Sequence, residues 1–159
     1  MNKSEELLLS AWASFFVAHG LSVRKIEAEL EGKAPLSLDE YDVLLITSRS
    51  PDEKIRLSSL AEATVFTRSG ITRITKRLQE RGLLDREECD KDKRGSFAVL
   101  TTSGRKALKD TWKFYSRSIL NLFQPCFSDS DAQKLGSLLE RVIEQARSEP
   151  LVQIRKKFH

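Results

Sequence analysis

Ser69, Thr72, Arg73 and Lys76 recur at the spacing that puts side chains on one side of a helix, with Arg68 and Arg77 at its edges. Ile71, Ile74 and Leu78 fall on the opposite side. Such a helix turns an apolar back to a core and offers hydroxyls and cations outward. Cations and hydroxyls hold phosphates, a guanidinium bridges two acceptors on a guanine edge, and a threonine methyl fits a thymine methyl. The chemistry on offer is recognition of a polyanion. A second basic group follows in "CDKDKRG", where Lys91, Lys93 and Arg94 lie between two apolar runs.

The charge distribution agrees. Residues 54–106 hold thirteen Lys/Arg against seven Asp/Glu, while the other residues hold fourteen against sixteen. A basic middle in a chain of net charge +4 marks one face for a polyanion. Bond-making chemistry has no matching set of residues. Cys89 and Cys126 form no C-x-x-C pair, His19 and His159 are far apart, and no zinc spacing or phosphate loop occurs. No enzyme activity, metal or cofactor is expected, and the thiol usage suits a reducing, cytoplasmic compartment.

The elements that must position these groups are mostly helical. The 159 residues are 40% apolar and 31% charged, enough for one globular domain with a real core. Ser4 is the expected cap of a first helix with Leu8, Trp12, Phe15, Phe16, His19, Val23, Ile26 and Leu30 at helical spacing. The uncharged run Leu7 to Val23 is shorter than a usual membrane span and reads as a buried helix of a soluble protein. Its apolar surface exceeds one stripe, so a second subunit is the expected extra cover. Within it Trp12, Phe15, Phe16 and His19 cluster. His19 is expected in the core, yet aromatic walls with one polar group also suit part of a pocket for an aromatic acid.

Ser37 to Glu40 fits a capping box before a helix carrying Tyr41, Leu44, Leu45 and Thr47. A loop at "SRSPDEK" follows. Leu57, Leu60 and Ala61 anchor a short helix, and Thr67 caps the next, which Gly82 closes. Two helices joined so closely have the grammar of a helix-turn-helix. "LLDREE" and "SFAVLT" then read as two strands around the charged tip, with Gly95 easing the reversal. A long helix runs from Thr102 to about Phe123. A last one opens at Ser128 or Asp129 and carries Leu135, Leu138, Leu139, Val142 and Ile143.

The stretch "SLAEATVFTRSGITRITKRLQERGLLDREECDKDKRGSFAVLTTSG" resembles the winged helix of the MarR transcriptional regulators. The wing pattern Asp92-x-Arg94, then Leu100-Thr101 and Gly104, is close to that family's signature, and two helices stand on either side as the family requires. The resemblance implies a mainly α fold: a winged helix-turn-helix at 54–101 with a two-stranded wing, flanked by dimerisation helices at 1–35 and 102–159. It implies a homodimer on a pseudo-palindromic operator in double-stranded DNA, usually as a repressor, and a small phenolic or other aromatic effector between the dimerisation helices and the winged helix. Thr67 to Arg81 would be the recognition helix and 84–101 the wing. Thr67, Arg68, Ser69, Thr72, Arg73, Lys76, Arg77, Lys91, Lys93 and Arg94 would contact DNA, with Arg94 in the minor groove and Asp92 orienting it. Some relatives sense peroxides through a first-helix cysteine, which this chain lacks. Cys89 stands among Glu87, Glu88 and Asp90, which oppose thiolate formation. A winged-helix protein-interaction module is the alternative reading, with a cysteine-based redox-sensing regulator behind it.

Overall fold

The computed structural model describes residues 2–89 and 92–146, without the side chains of 89 and 92–95. Helix α1 runs from Lys3 to Leu30. Asn2, not Ser4, caps it: the Asn2 side chain accepts from the Glu5 N–H at 3.0 Å, and the Glu5 carboxylate accepts from the Asn2 N–H at 2.8 Å. Asparagine caps as well as serine does, and only Asn2 has a glutamate at the position that closes the box. Gly32, at φ +70°, ends the helix in the left-handed conformation.

Helix α2 spans Leu38–Arg49, and the Ser37 N–H donates to Glu40 Oε2 at 3.3 Å, as the capping box requires. A single tight turn at Pro51–Glu53 leads into strand β1, Lys54–Arg56. Helix α3, Leu57–Ala63, and helix α4, Arg68–Glu80, form the helix-turn-helix. Strand β2, Leu84–Cys89, pairs antiparallel with strand β3, Asp92–Leu100. Helix α5, Thr102–Phe123, and helix α6, Asp129–Ala146, complete the chain.

The two-stranded wing is found as β2 and β3, and β1 adds a third strand to its sheet, in the order β1-β3-β2, by pairing with β3 through Ile55 opposite Ala98. Three residues are too few to show an alternation, so the edge strand reads as loop. One expectation about the wing is corrected: Gly95 lies within β3 rather than at the reversal, since the ladder continues to Cys89 opposite Asp92.

The core sits where the winged helix meets α2 and the start of α5. Leu44, Leu60, Ile71, Leu78 and Leu84 are fully buried and join Val43, Ile55, Ala98, Leu100 and Leu108 in one cluster. Ile71, Ile74 and Leu78 supply the inward side of α4, as their spacing predicts. Gly104 shows how tightly α5 meets the hairpin. A Cβ there would collide with the Leu83 carbonyl oxygen and stand 2.9 Å from Leu100 Cδ1. Only glycine permits that approach. Thr101 caps α5 just before it, accepting the Gly104 N–H at 3.0 Å.

The outer helices behave differently. In α1 only Ile26 and Leu30 are buried, where its last turns approach α5. Leu7 to His19 is exposed throughout, against the expectation of a buried helix. Leu8 is 70% exposed, Phe16 66% and Trp12 59%. No residue of α6 is buried, and Leu138, Val142 and Ile143 lie open along one stripe. The helix α1 ends at Leu30, the last position of the expected apolar spacing. By length and composition alone it reaches the size of a membrane span.

Candidate nucleic-acid interface

The reading face is built by α4. Thr67 starts it: its hydroxyl oxygen accepts the Gly70 N–H at 3.1 Å and lies 3.1 Å from the Ser69 hydroxyl. Gly82, at φ +66°, ends it. The apolar back of the helix is buried, so Arg68, Ser69, Thr72, Arg73 and Lys76 stand exposed on the outward side. The Thr72 hydroxyl donates to the Arg68 carbonyl at 3.0 Å. That leaves its methyl and an acceptor oxygen for a partner. Arg68 and Arg73 have no ion-pair partner among the described residues. Lys76 stands 3.8 Å from Glu80 with both side chains exposed, a contact worth about 0–1 kcal/mol and easily exchanged for a phosphate.

Arg77 is placed otherwise. Its Nη2 is 2.7 Å from Asp39 Oδ2 and its Nε 3.5 Å from Glu40 Oε1. Arg81 bonds the other Glu40 oxygen at 2.8 Å and donates to the Pro35 carbonyl at 2.6 Å. Burial alone would raise the Asp39 carboxyl. Hydrogen bonds from the Ser37 hydroxyl, the Arg77 guanidinium and the Glu40 N–H outweigh it and hold Asp39 below the usual carboxylate range. The sequence shows Asp39 as an acidic residue of a first turn and Glu40 as the end of a capping box. Nothing local signals their partners about forty residues on.

Of the wing, β2 is placed beside α4, since Leu83 and Leu84 follow its last turn, and β3 pairs with β2. The Lys54 ammonium pairs with Glu87 and lies 4.7 Å from the centre of the Phe97 ring. Lys91 and the side chains of Asp92, Lys93 and Arg94 lie outside the described residues, as does that of Cys89.

The aromatic cluster of α1 forms no enclosed site within one chain. Trp12 stacks near Phe16 at 6.3 Å and meets Phe15 at 6.0 Å, and Phe15 meets His19 at 6.2 Å. All four are exposed, so His19 is not the core histidine expected. A second cluster joins α2 to α5. Tyr41 stacks on Trp112 at 6.2 Å and meets Tyr115 edge-on at 5.2 Å. Burial of the phenol, with Tyr115 nearby, pushes Tyr41 up to about 12. Among the described residues no group of His, Cys, Asp or Glu could hold a metal ion.

A helix with a packed back and a cationic, hydroxyl-bearing front, a strand pair at its end and a third edge strand define a winged helix-turn-helix protein. Residues 34–95 match the family model described as "MarR family". No curated protein matches the chain. Among solved structures, the MarR family transcriptional regulator Sco3205 of Streptomyces coelicolor, solved in complex with DNA, superposes with a TM-score of 0.80 at 26% identity, covering 94% of this chain and 92% of that one. AbsC, a MarR family transcriptional regulator of the same organism, gives 0.78 at 26% identity, covering 94% and 98%. The organohalide-sensing regulator RdhR-CbdbA1625, solved with 2,4-dichlorophenol, shares the fold at a TM-score of 0.75 and 16% identity, covering 91% and 85%. Residues 34–95 thus carry a MarR-type winged helix, and the chain shares its fold with MarR family transcriptional regulators, one of them solved on DNA, which supports a DNA-binding regulator.

Proposed function

We propose that this regulator acts as a homodimeric repressor that lays α4 in the major groove of a pseudo-palindromic operator. The observation that carries the reading is the outward face of α4. Arg68, Ser69, Thr72 and Arg73 are exposed beside Lys76, while Ile71, Ile74 and Leu78 lock the helix to the core. Arg73, without an ion-pair partner among the described residues, is the reader of a guanine edge, and Thr72 offers its methyl to a thymine. Thr67, Arg68, Ser69 and Lys76 hold phosphates. On the wing the sequence supports the same partner. Lys91 and Lys93 suit the backbone, and Arg94, oriented by Asp92, suits a narrow A·T-rich minor groove.

The dimer is supported by the exposed apolar faces of α1 and α6. A stripe of that size on a lone subunit marks an interface, and a two-fold arrangement covers both copies at once. Ser10, Ser14, His19 and Gly20 within α1 favour a protein partner over lipid. The protein would work in the cytoplasm. A small aromatic acid or phenol is the proposed effector, with Trp12, Phe15, Phe16 and His19 as part of the walls once a partner covers them. The 2,4-dichlorophenol carried by one fold relative fits that class.

Selection of duplexes from a random pool, followed by footprinting, tests the reading. Two half-sites about one helical turn apart are expected. A single asymmetric site would overturn the dimeric mode. Titrating salicylate-like acids and phenols against the complex tests the effector, and no release across a broad panel would remove it.

A further inference from the structure

Asp39 and Glu40 lie at the start of α2, across from the C-terminal half of α4. Glu40 is almost wholly buried, with its side chain 8% exposed, and it is a carboxylate between two guanidiniums. A buried charge is costly unless its oxygens are satisfied. Here each oxygen has its own arginine: Oε1 faces Arg77 and Oε2 faces Arg81. Arg77 also reaches Asp39, and Arg81 also reaches the Pro35 carbonyl. Arg77 in the last turn of α4 and Arg81, which caps its end, are one turn apart. The pair therefore fixes the rotation of that helix about its own axis, which the apolar contacts of Ile71, Ile74 and Leu78 alone resist only by packing.

We propose that Asp39 and Glu40 are positioning residues for DNA reading, and that Arg77 and Arg81 are their grips on the recognition helix rather than contacts to DNA. The inference rests on the proposed role of α4. A bidentate arginine on a guanine needs its two acceptors at hydrogen-bond distance, so a small rotation of α4 takes Arg73 out of register while leaving phosphate contacts nearly intact. Glu40 thus controls discrimination between sequences more than affinity for DNA as such. Asp39 holds Arg77 away from the groove, and that removes one cation from the set the sequence offers.

The test uses the full-length protein and two duplexes: one selected by the parent protein from a random pool, and a random duplex of equal length. Glu40→Gln and Arg77→Ala should each lower the ratio of selected to random affinity at least fivefold. The salt dependence on random duplex should stay that of the parent. The double variant should discriminate no worse than either single variant, because the two residues act as one unit. A lower folded fraction weakens both duplexes alike and leaves the ratio unmoved, so it cannot imitate the effect. Should Glu40→Gln fail to fold, Asp39→Asn at the half-exposed end of the network takes its place, with an expected loss of about half as much in logarithmic terms. Two results overturn the proposal. One is a salt slope for Arg77→Ala reduced by about 0.9, the mark of a lost phosphate contact. The other is an unchanged ratio in Glu40→Gln, or in its replacement. A parent protein that selects no duplex at all would instead sink the reading of α4 itself.

Discussion

The winged helix and the outer helices are made of similar residues and reach opposite ends. Leu60, Ile71 and Leu78 in the winged helix, with Leu44 of α2 packed against them, are closed off from solvent by neighbours in the same chain. Leu8, Trp12 and Phe16 in α1, and Leu138 and Val142 in α6, are as apolar and more than half exposed. Burying one such side chain is worth about 1.5–3 kcal/mol. The winged helix collects that energy alone; the outer helices can collect it only from another surface. The difference teaches that the core is completed within one chain, while the apolar faces of α1 and α6 are left for the partner that the proposed dimer supplies.

The sharpest way to break the comparison is to make the outer face polar. Trp12→Glu combined with Val142→Glu should abolish the dimer in sedimentation experiments, a weakening of at least a hundredfold, and should leave the winged helix folded. A pair of substitutions that leaves the dimer intact would show that the outer faces serve something else. Next in size is the inner core. Leu78→Ala should cost about 2–5 kcal/mol in denaturant unfolding, because the cavity has nothing to fill it. Leu8→Ala should cost far less in a monomer, so the two substitutions measure the contrast directly. Gly104→Ala follows at about 1–3 kcal/mol, since the added methyl must push the α5 start off the Leu83 carbonyl.

Arg73→Ala should leave the melting temperature nearly unchanged and cost about 1–3 kcal/mol on the selected duplex. An equal loss on random DNA would recast Arg73 as a phosphate ligand. The smallest effect concerns acid. The folded-state value of Asp39 is depressed, so its pairing stabilises the protein above the ordinary carboxylate range and is lost as pH falls through the depressed value. Melts from pH 6 to 3 should show a shallower acid decline for Asp39→Asn than for the parent. Parallel curves would show that Asp39 contributes nothing through its charge. Asp110 and Asp131 are also depressed, by hydrogen bonds from Lys113 and Ser128, so the comparison between the two curves carries the result.

What could be read from sequence was what short-range chemistry decides. Thr67 capping, Gly82 closing and the Ile71–Ile74–Leu78 spacing each act within a few residues, and each is found in place. Gly104 was legible as part of a pattern, though its reason, a backbone approach, is visible only in three dimensions. Strand β1 was missed because its pairing with β3 spans more than forty residues and its own three residues carry no period. The grip of Asp39 and Glu40 on Arg77 and Arg81 was hidden for the same reason. The exposure of Leu7 to His19 is a third kind of miss. Apolar periodicity states that a surface must be covered, and it is silent on whether the cover comes from the same chain.

The contact at Gly104 has a mechanical consequence. With no room for even a methyl group, the hairpin base and the first turn of α5 have no play between them, so wing and long helix turn together as one rod. At 1.5 Å per residue, the 22 residues of α5 make that rod about 33 Å long. A tilt of about 5° at one end therefore carries the other through roughly 3 Å, close to the 3.4 Å step between successive base pairs. In a dimer joined at the far ends of two such rods, a rearrangement too small to disturb any core would move each reading head by about one base pair.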